Sequence, residues 1–141
     1  MPDALEIAFH LAARGLVFER TCVLVAVSGG GDSVALLHLL HRFAARRQIE
    51  LTVAHLDHAL RRGSAVDSRF VARLAASYGL PVVALRRDVA ALRRRDESPE
   101  EAARRVRRAF LLETAKDAGA VAIATGHTLD DQAETILMRL A

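Results

Sequence analysis

The 141 residues include one cysteine, no tryptophan, one tyrosine and three prolines. A lone cysteine, Cys22, can form neither an internal disulfide nor a cysteine-built zinc cluster, which implies a reducing, cytoplasmic setting. The longest strongly apolar run, Thr21 to Val27, falls far short of the roughly 18 residues that cross a bilayer, so no membrane role is expected. Asp3 and Glu6 stand where a secretory leader would carry positive charge. A hydrophobic content of 52% with 26% charged residues excludes disordered and collagen-like chains. One compact domain over residues 1–141 is the expectation.

The net charge is only +3, but the basic residues come in clusters: Arg46-Arg47, Arg61-Arg62, Arg86-Arg87, Arg93 to Arg95, and Arg104-Arg105 with Arg107-Arg108. Such clusters either solvate helix surfaces or make a face that attracts phosphates. Composition alone favours the solvated surface.

Hydrophobic periodicity gives the organisation. Asp3, Glu6 and Gly15 bound a short lead-in helix by a capping box and a glycine stop. Cys22 to Val27 is a β-branched and apolar run, followed by a glycine-rich turn and a helical stripe from Val34 to Ala45. Leu51 to His55 reads as a second strand, Ser64 and Asp67 open a helix that ends at Gly79, and Pro81 to Leu85 supplies a third strand. Asp88 to Asp96 reads as a charged connection with latitude to move. Ser98, Pro99 and Glu101 hold the N-cap, first and third helical positions of a long helix to about Asp117. Ala120 to Ala124 is a fourth strand; Gly126-His127 then turns into a last helix from about Leu129, capped by Thr128, with Ile136, Leu137 and Leu140 on its apolar side. No linker, repeat or low-complexity segment interrupts the chain. Strands alternating with helices predict a doubly wound, Rossmann-like α/β fold: a parallel sheet with helices on both faces, binding ligands beyond the carboxyl ends of its strands.

Those ends carry the chemistry. Ser28-Gly29-Gly30-Gly31-Asp32-Ser33 follows a strand and opens a helix, so its amides and the helix N-terminus can cradle a phosphate. It is not a Walker A loop, because no Gly-Lys-Ser/Thr follows, and Val34 stands where a dinucleotide loop needs its third glycine. His55 and His58 flank Asp57 at the tip of the second strand, on opposite sides if the strand persists that far. Without further nearby His or Cys ligands the turn argues against zinc. His127 contacts a phosphate or fixes its own turn. Arg104, Arg107 and Arg108 share one side of the long helix, and Asp131 and Glu134 one face of the last. In the last pair, Asp131 can equally serve as the return half of a capping box with Thr128.

Val25 to Ser33 resembles the PP-loop of the ATP pyrophosphatase superfamily, which includes asparagine, GMP and NAD synthetases. His55-Leu56-Asp57-His58-Ala59-Leu60-Arg61, Ser98 to Arg104, and Gly126 to Thr135, in that order, resemble the tRNA(Ile)-lysidine synthetase branch, so nearly all of Val23 to Leu140 is covered. The resemblance implies ATP and Mg²⁺, with tRNA(Ile) and L-lysine as partners. The wobble cytidine would be adenylated at its C2 oxygen, and the side-chain amine of lysine would then displace AMP. It implies ATP contacts from Ala26, Ser28, Gly29, Gly30, Gly31, Asp32, Ser33, Leu56 and His127, with Asp32 holding the metal. It implies substrate contacts from His55, Asp57, His58, Arg104, Asp131 and Glu134, with Asp32, Arg104, Asp131 and Glu134 in the catalytic set.

Two departures stand out. The family commonly has Arg-Tyr where this chain has Arg107-Arg108, which removes an aromatic stacking role. The chain also ends at Ala141, inside its last expected helix, where the family continues into another strand, further helices and tRNA-binding domains; the resemblance implies a domain cut short at its C-terminal end. Two other readings remain open, a related tRNA thiolation enzyme and a nucleotide- or RNA-binding fragment without turnover. Oligomeric state is not legible.

Overall fold

The computed structural model describes residues 21–59, 64–129 and 132–139, with backbone only for 127–129 and 132–139. The expected lead-in helix at Asp3 to Gly15, the Arg61-Arg62 pair and Asp131 lie outside the described residues. Strands β1 (Cys22–Ala26), β2 (Glu50–Asp57), β3 (Val82–Arg86) and β4 (Ala120–Leu129) run parallel. A fifth, β5 (Gln132–Arg139), pairs antiparallel with β4, and the sheet order is β3-β2-β1-β4-β5.

Alternation along the central strands sorts their side chains between two cores. Val23, Val25 and Val27 face helix α1 (Gly31–Arg47), which adds Leu36, Leu37 and Leu40, and helix α2 (Ser64–Ser77), which adds Val71 and Ala75. Leu24 and Ala26 face the other way, onto Phe110, Leu111 and Ala115 of the long helix α4 (Pro99–Ala118). Helices therefore cover both faces, as the doubly wound pattern requires. Leu24, Leu36 and Leu37 are wholly buried; truncating any of them to alanine costs about 2–5 kcal/mol.

The long helix begins as its sequence dictates. Ser98 is the N-cap, its Oγ accepting from the Glu101 amide at 3.1 Å, Pro99 follows at the first helical position, and Gly119 at φ +69° closes the other end.

The connection expected to be free is instead pinned. Asp88 caps a one-turn helix α3 (Val89–Leu92), whose Val89 is buried against Ala102 and Val106. Beyond it, Glu97 grips α4: its carboxylate accepts from Arg105 Nε at 2.8 Å and Nη2 at 2.9 Å, and also from the Arg94 amide at 2.9 Å. Arg93 Nε donates to the Glu97 carbonyl, and Arg105 Nη2 donates to the Leu92 carbonyl. Spacing along the chain gave no sign of this clasp, because Glu97 and Arg105 meet across a cap.

One expectation is corrected. No helix begins at Leu129: β4 continues through Gly126, His127 and Thr128, so Thr128 is not a cap, and Gln132–Arg139 returns as β5. Pairing satisfies the backbone groups along one side of β4, and the β-branched Thr135 and Ile136 suit a strand, so sheet formation overrides a local helical stripe. The argument that Asp131 and Glu134 share a helix face falls with that helix.

Arg105 and the Arg94 amide hold the Glu97 carboxyl down to about 2, against an ordinary 4.5. Because the folded value is depressed, the clasp's contribution is complete above the unfolded value and is lost as pH falls through about 2. Glu97→Gln should speed amide hydrogen exchange in residues 92–97 at neutral pH and leave exchange in β1 unchanged. Unaltered exchange in that segment would show that the carboxylate does not hold it.

Candidate functional site

Strand order reverses at β1: β2 and β3 lie to one side and β4 to the other, so the loop leaving β1 opens into the crevice between diverging connections. The approach is close. A Cβ at Gly126 would lie 3.4 Å from the Asp32 carbonyl oxygen and 3.6 Å from Ser33 Cα, ordinary van der Waals contact, which places β4 directly beside the start of α1.

The loop is built by its own serines. Ser33 is buried; its hydroxyl donates to the Gly30 carbonyl at 2.9 Å and accepts from the Ser28 amide at 3.2 Å, while the two serine hydroxyls lie 3.2 Å apart. Ser28 Oγ accepts from the Gly30 amide at 3.3 Å. Ser33 is thus the staple of the loop, and Ser28 is its exposed hydroxyl. Gly29 takes φ +101°, a conformation that side chains resist, and a Cβ there would meet Asp67 Cβ at 3.5 Å. Gly30 is the N-cap of α1 and supplies no capping side chain, leaving the loop face of the helix terminus to backbone amides. Asp32 sits in the first helical turn.

β2 ends beside this loop. His55 is buried and its Nδ1 lies 2.7 Å from the Val27 carbonyl, so Nδ1 carries the proton and ties β2 to the point where β1 gives way to the loop. Its Nε2 is buried with no partner among the described residues. Asp57 is buried too. Burial opposes its ionisation, but the Ala59 amide at 2.9 Å, the Ser64 hydroxyl and the charges of Arg86 and His55 outweigh it, and the carboxyl stays below its usual range. Ala59 takes φ +56° in this turn, a strained position for a residue with a Cβ.

The two histidines part as strand alternation predicts. Val53 belongs to the α1 and α2 side, so His55, two residues on, shares it, whereas His58 lines a cleft on the α4 side. That cleft is walled by Ala26, Ala54, Leu56, Phe110 and Leu111, with Ser28, His58 and Arg107 as its polar groups. Burial and the Arg107 charge push His58 below the ordinary imidazole value, so it is neutral at pH 7. Burial alone lowers Arg107. The site is an apolar slot whose polar rim, Ser28, adjoins the phosphate-type loop.

The structure therefore brings together Ala26, Ser28, Leu56 and His58 around one cleft, with Gly29 to Ser33 next to it. Arg104 is exposed on α4 and does not line the cleft. His127 and Glu134 stand opposite each other in the β4–β5 register. The described residues contain no cluster of three or more His, Cys, Asp or Glu able to hold a metal by themselves.

Sequence reasoning missed two residues. Arg107 was placed on an outer stripe with Arg104 and Arg108, yet it is in helical phase with Phe110 and Leu111, the face that meets the sheet. Asp67 was read only as a helix opener and lies against Gly29.

The loop geometry separates two glycines. Gly29→Ala should cost about 1–3 kcal/mol through backbone strain. Gly30→Ala, at φ −73° with Ser28 Oγ 3.5 Å from the new carbon, should stay within about 0.5 kcal/mol. Denaturant unfolding of the two variants checks this, and equal losses would contradict the assigned loop conformation.

Known proteins share these features. A family profile described as "PP-loop domain" matches residues 5–141. A tRNA(Ile)-lysidine synthase of Dehalococcoides mccartyi is 40% identical over 137 residues, 96% of this chain and 29% of the relative. One from Thermus thermophilus is 51% identical over 119 residues, 84% of this chain and 23% of the relative. The chain thus spans less than a third of the length of these curated relatives. Among solved structures, the U34-tRNA thiolase NcsA from Methanococcus maripaludis, with its [4Fe-4S] cluster, superposes with a TM-score of 0.77 at 16% identity, covering 89% of this chain and 45% of that one. At that identity the likeness establishes the fold. With the profile spanning almost the whole chain and the Ser28 to Ser33 loop at the switch point of a doubly wound sheet, this chain belongs to the PP-loop domain family.

Proposed function

We propose that this chain is the ATP-binding part of a tRNA(Ile)-lysidine synthetase. The supporting observation is the placement of the Ser28 to Ser33 loop beside the cleft of Ala26, Leu56, His58 and Arg107, in a chain 40–51% identical to synthases of that name. Adenine lies against Ala26, Leu56 and Phe110, and the phosphates run past Ser28 to the amides of Gly29, Gly30 and Gly31 at the open end of α1. There the helix terminus favours negative charge.

In the first step the C2 oxygen of the wobble cytidine attacks the α-phosphorus, and the bond to the β-phosphate oxygen breaks as pyrophosphate leaves. The loop amides stabilise that developing charge. In the second step the side-chain amine of lysine attacks C2, the C2–O bond breaks and AMP leaves. Arg107 offers a cation at the cleft, and neutral His58 a hydrogen-bonding nitrogen. Asp131 and Glu134, with His127 opposite Glu134 in register, make up the lysine side of the site in this reading.

Mg²⁺ fits the donors present. Asp32 and Asp67 are carboxylates at the loop, hard oxygen donors of the kind that would hold a divalent cation beside a bound anion. One or two carboxylates plus phosphate oxygens is the usual magnesium environment. Asp32 is the first residue that would hold Mg²⁺, whose charge would offset that of the phosphates.

Among the described residues no helix is long and apolar enough to cross a membrane, and a cytoplasmic setting completes the reading. A thiolation enzyme holding an iron–sulfur cluster would need paired cysteines, and the one cysteine here, Cys22, lies in β1 with its Sγ 3.7 Å from Thr52 Oγ1.

AMP release dependent on both lysine and tRNA, measured on this chain and on a form extended to the length of its relatives, is the deciding experiment. Arg107→Gln should weaken ATP binding at least tenfold with little change in thermal stability. Release that ignores lysine would overturn the lysidine assignment. ATP binding without any release from the extended form would leave a binding module.

A further inference from the structure

Between Arg86 and Arg108 lie nine arginines and five acidic residues. That surplus exceeds the +3 of the whole chain, so the remainder is slightly acidic and the basic character resides in this segment. The topology carries the segment to the ligand end of the sheet. Arg86 ends β3; the Arg87 amide then donates to the Asp57 carbonyl at 2.9 Å and the Val89 amide to the His58 carbonyl at 3.4 Å, which lays the connection along the end of β2. Helix α4 starts from that same end, placing Arg104 and Arg108 near the cleft and Lys116 far from it. Arg94, Arg95, Arg104 and Arg108 are exposed and form no ion pair with a described residue. Arg105 forms an ion pair with Glu97 at 2.8 Å, and Glu97 and Asp57 also feel the charges of Arg94 and Arg86.

We propose that Arg93 to Arg95, held by the Glu97–Arg105 clasp, form with Arg104 and Arg108 a rail that docks the sugar-phosphate backbone of the RNA substrate beside the ATP cleft. The proposal rests on the reading that the substrate is a tRNA. Like charges gathered in one place repel unless an anion relieves them, and a row of phosphates supplies anions at regular spacing. An anionic membrane is a poorer partner, because the segment offers one exposed apolar side chain, Leu92, beside five consecutive charged residues, too little apolar area to insert. The clasp adds a feature that charge alone lacks. Glu97 spends its negative charge inward, on Arg105 and the Arg94 amide, and thereby fixes the backbone from which Arg94 and Arg95 project. Glu97 is a positioning residue.

The test measures binding of a fluorescently labelled RNA stem-loop to the full chain over a series of KCl concentrations, with ATP binding followed in parallel. The double variant R94Q/R95Q should bind RNA on the order of tenfold more weakly, with a salt slope reduced by about two, while binding ATP normally. A control, R42Q/R46Q, removes the same charge from exposed positions toward the other end of α1 and should change RNA affinity less than twofold. Glu97→Gln decides between charge and placement: it makes the chain more positive, so a purely electrostatic surface predicts tighter binding, whereas the rail predicts weaker. Equal losses from both double variants, or tighter binding by Glu97→Gln, would overturn the proposal. Anionic vesicles that displace the RNA from wild type but not from R94Q/R95Q would also overturn it, assigning the arginines to a lipid surface. RNA bound at the rail without lysine-dependent AMP release refutes the proposed reaction and leaves the rail standing. Normal RNA affinity of R94Q/R95Q with intact release does the reverse.

Discussion

Everything at the functional end depends on β4 pairing with β1 on the side opposite β2. The chain runs through β1, β2 and β3 in one direction, then returns through α4 to place β4 on the opposite side of β1. That reversal opens a crevice over the carboxyl end of β1. On its β4 side the crevice is bounded at Gly126, whose position lies within van der Waals range of the Asp32 carbonyl at the start of α1. The loop between Ser28 and Ser33 therefore sits between two connections that diverge, its Ser28 and Gly30 amides held by serine hydroxyls of the loop itself.

Rigidity there comes from small polar groups more than from apolar mass. Ser33 closes the loop on itself, His55 ties its first residue to β2, and Asp57 organises the next turn through the Ala59 amide. Each of these side chains is buried, and each has its main hydrogen bond satisfied within the protein. Buried polar groups are tolerable only on that condition. The Nε2 of His55 is buried with no hydrogen-bond partner among the described residues.

Electrostatics divides the arginines by burial. Arg107 is drawn into the cleft by its phase with Phe110 and Leu111 and loses hydration, while burial, aided by the Arg107 charge, lowers the pKa of His58. Arg105 is consumed by Glu97, and Arg104 and Arg108 remain in solvent. One helical turn thus carries three different uses of the same side chain, distinguished by which neighbour each guanidinium meets.

The sequence by itself determined the α/β class, the first four strands, the long helix with its Ser98-Pro99 start, and the phosphate-type loop. Each of these is written in local chemistry: β-branched runs, capping residues, and glycines at a strand-to-helix junction. Ala26, Leu56 and the loop residues were legible because a motif fixes their positions along the chain. Only the tertiary structure decided the rest. A helical stripe over Ile136 and Leu137 gives way to β5, since pairing with β4 satisfies more backbone than an isolated turn can. Glu97 meets Arg105, Asp67 meets the Gly29 loop, and Arg107 leaves its apparent stripe for the cleft. Those partners are brought together by the packing of helices on a sheet, and the distance between two side chains after packing is not encoded in the interval between them along the chain.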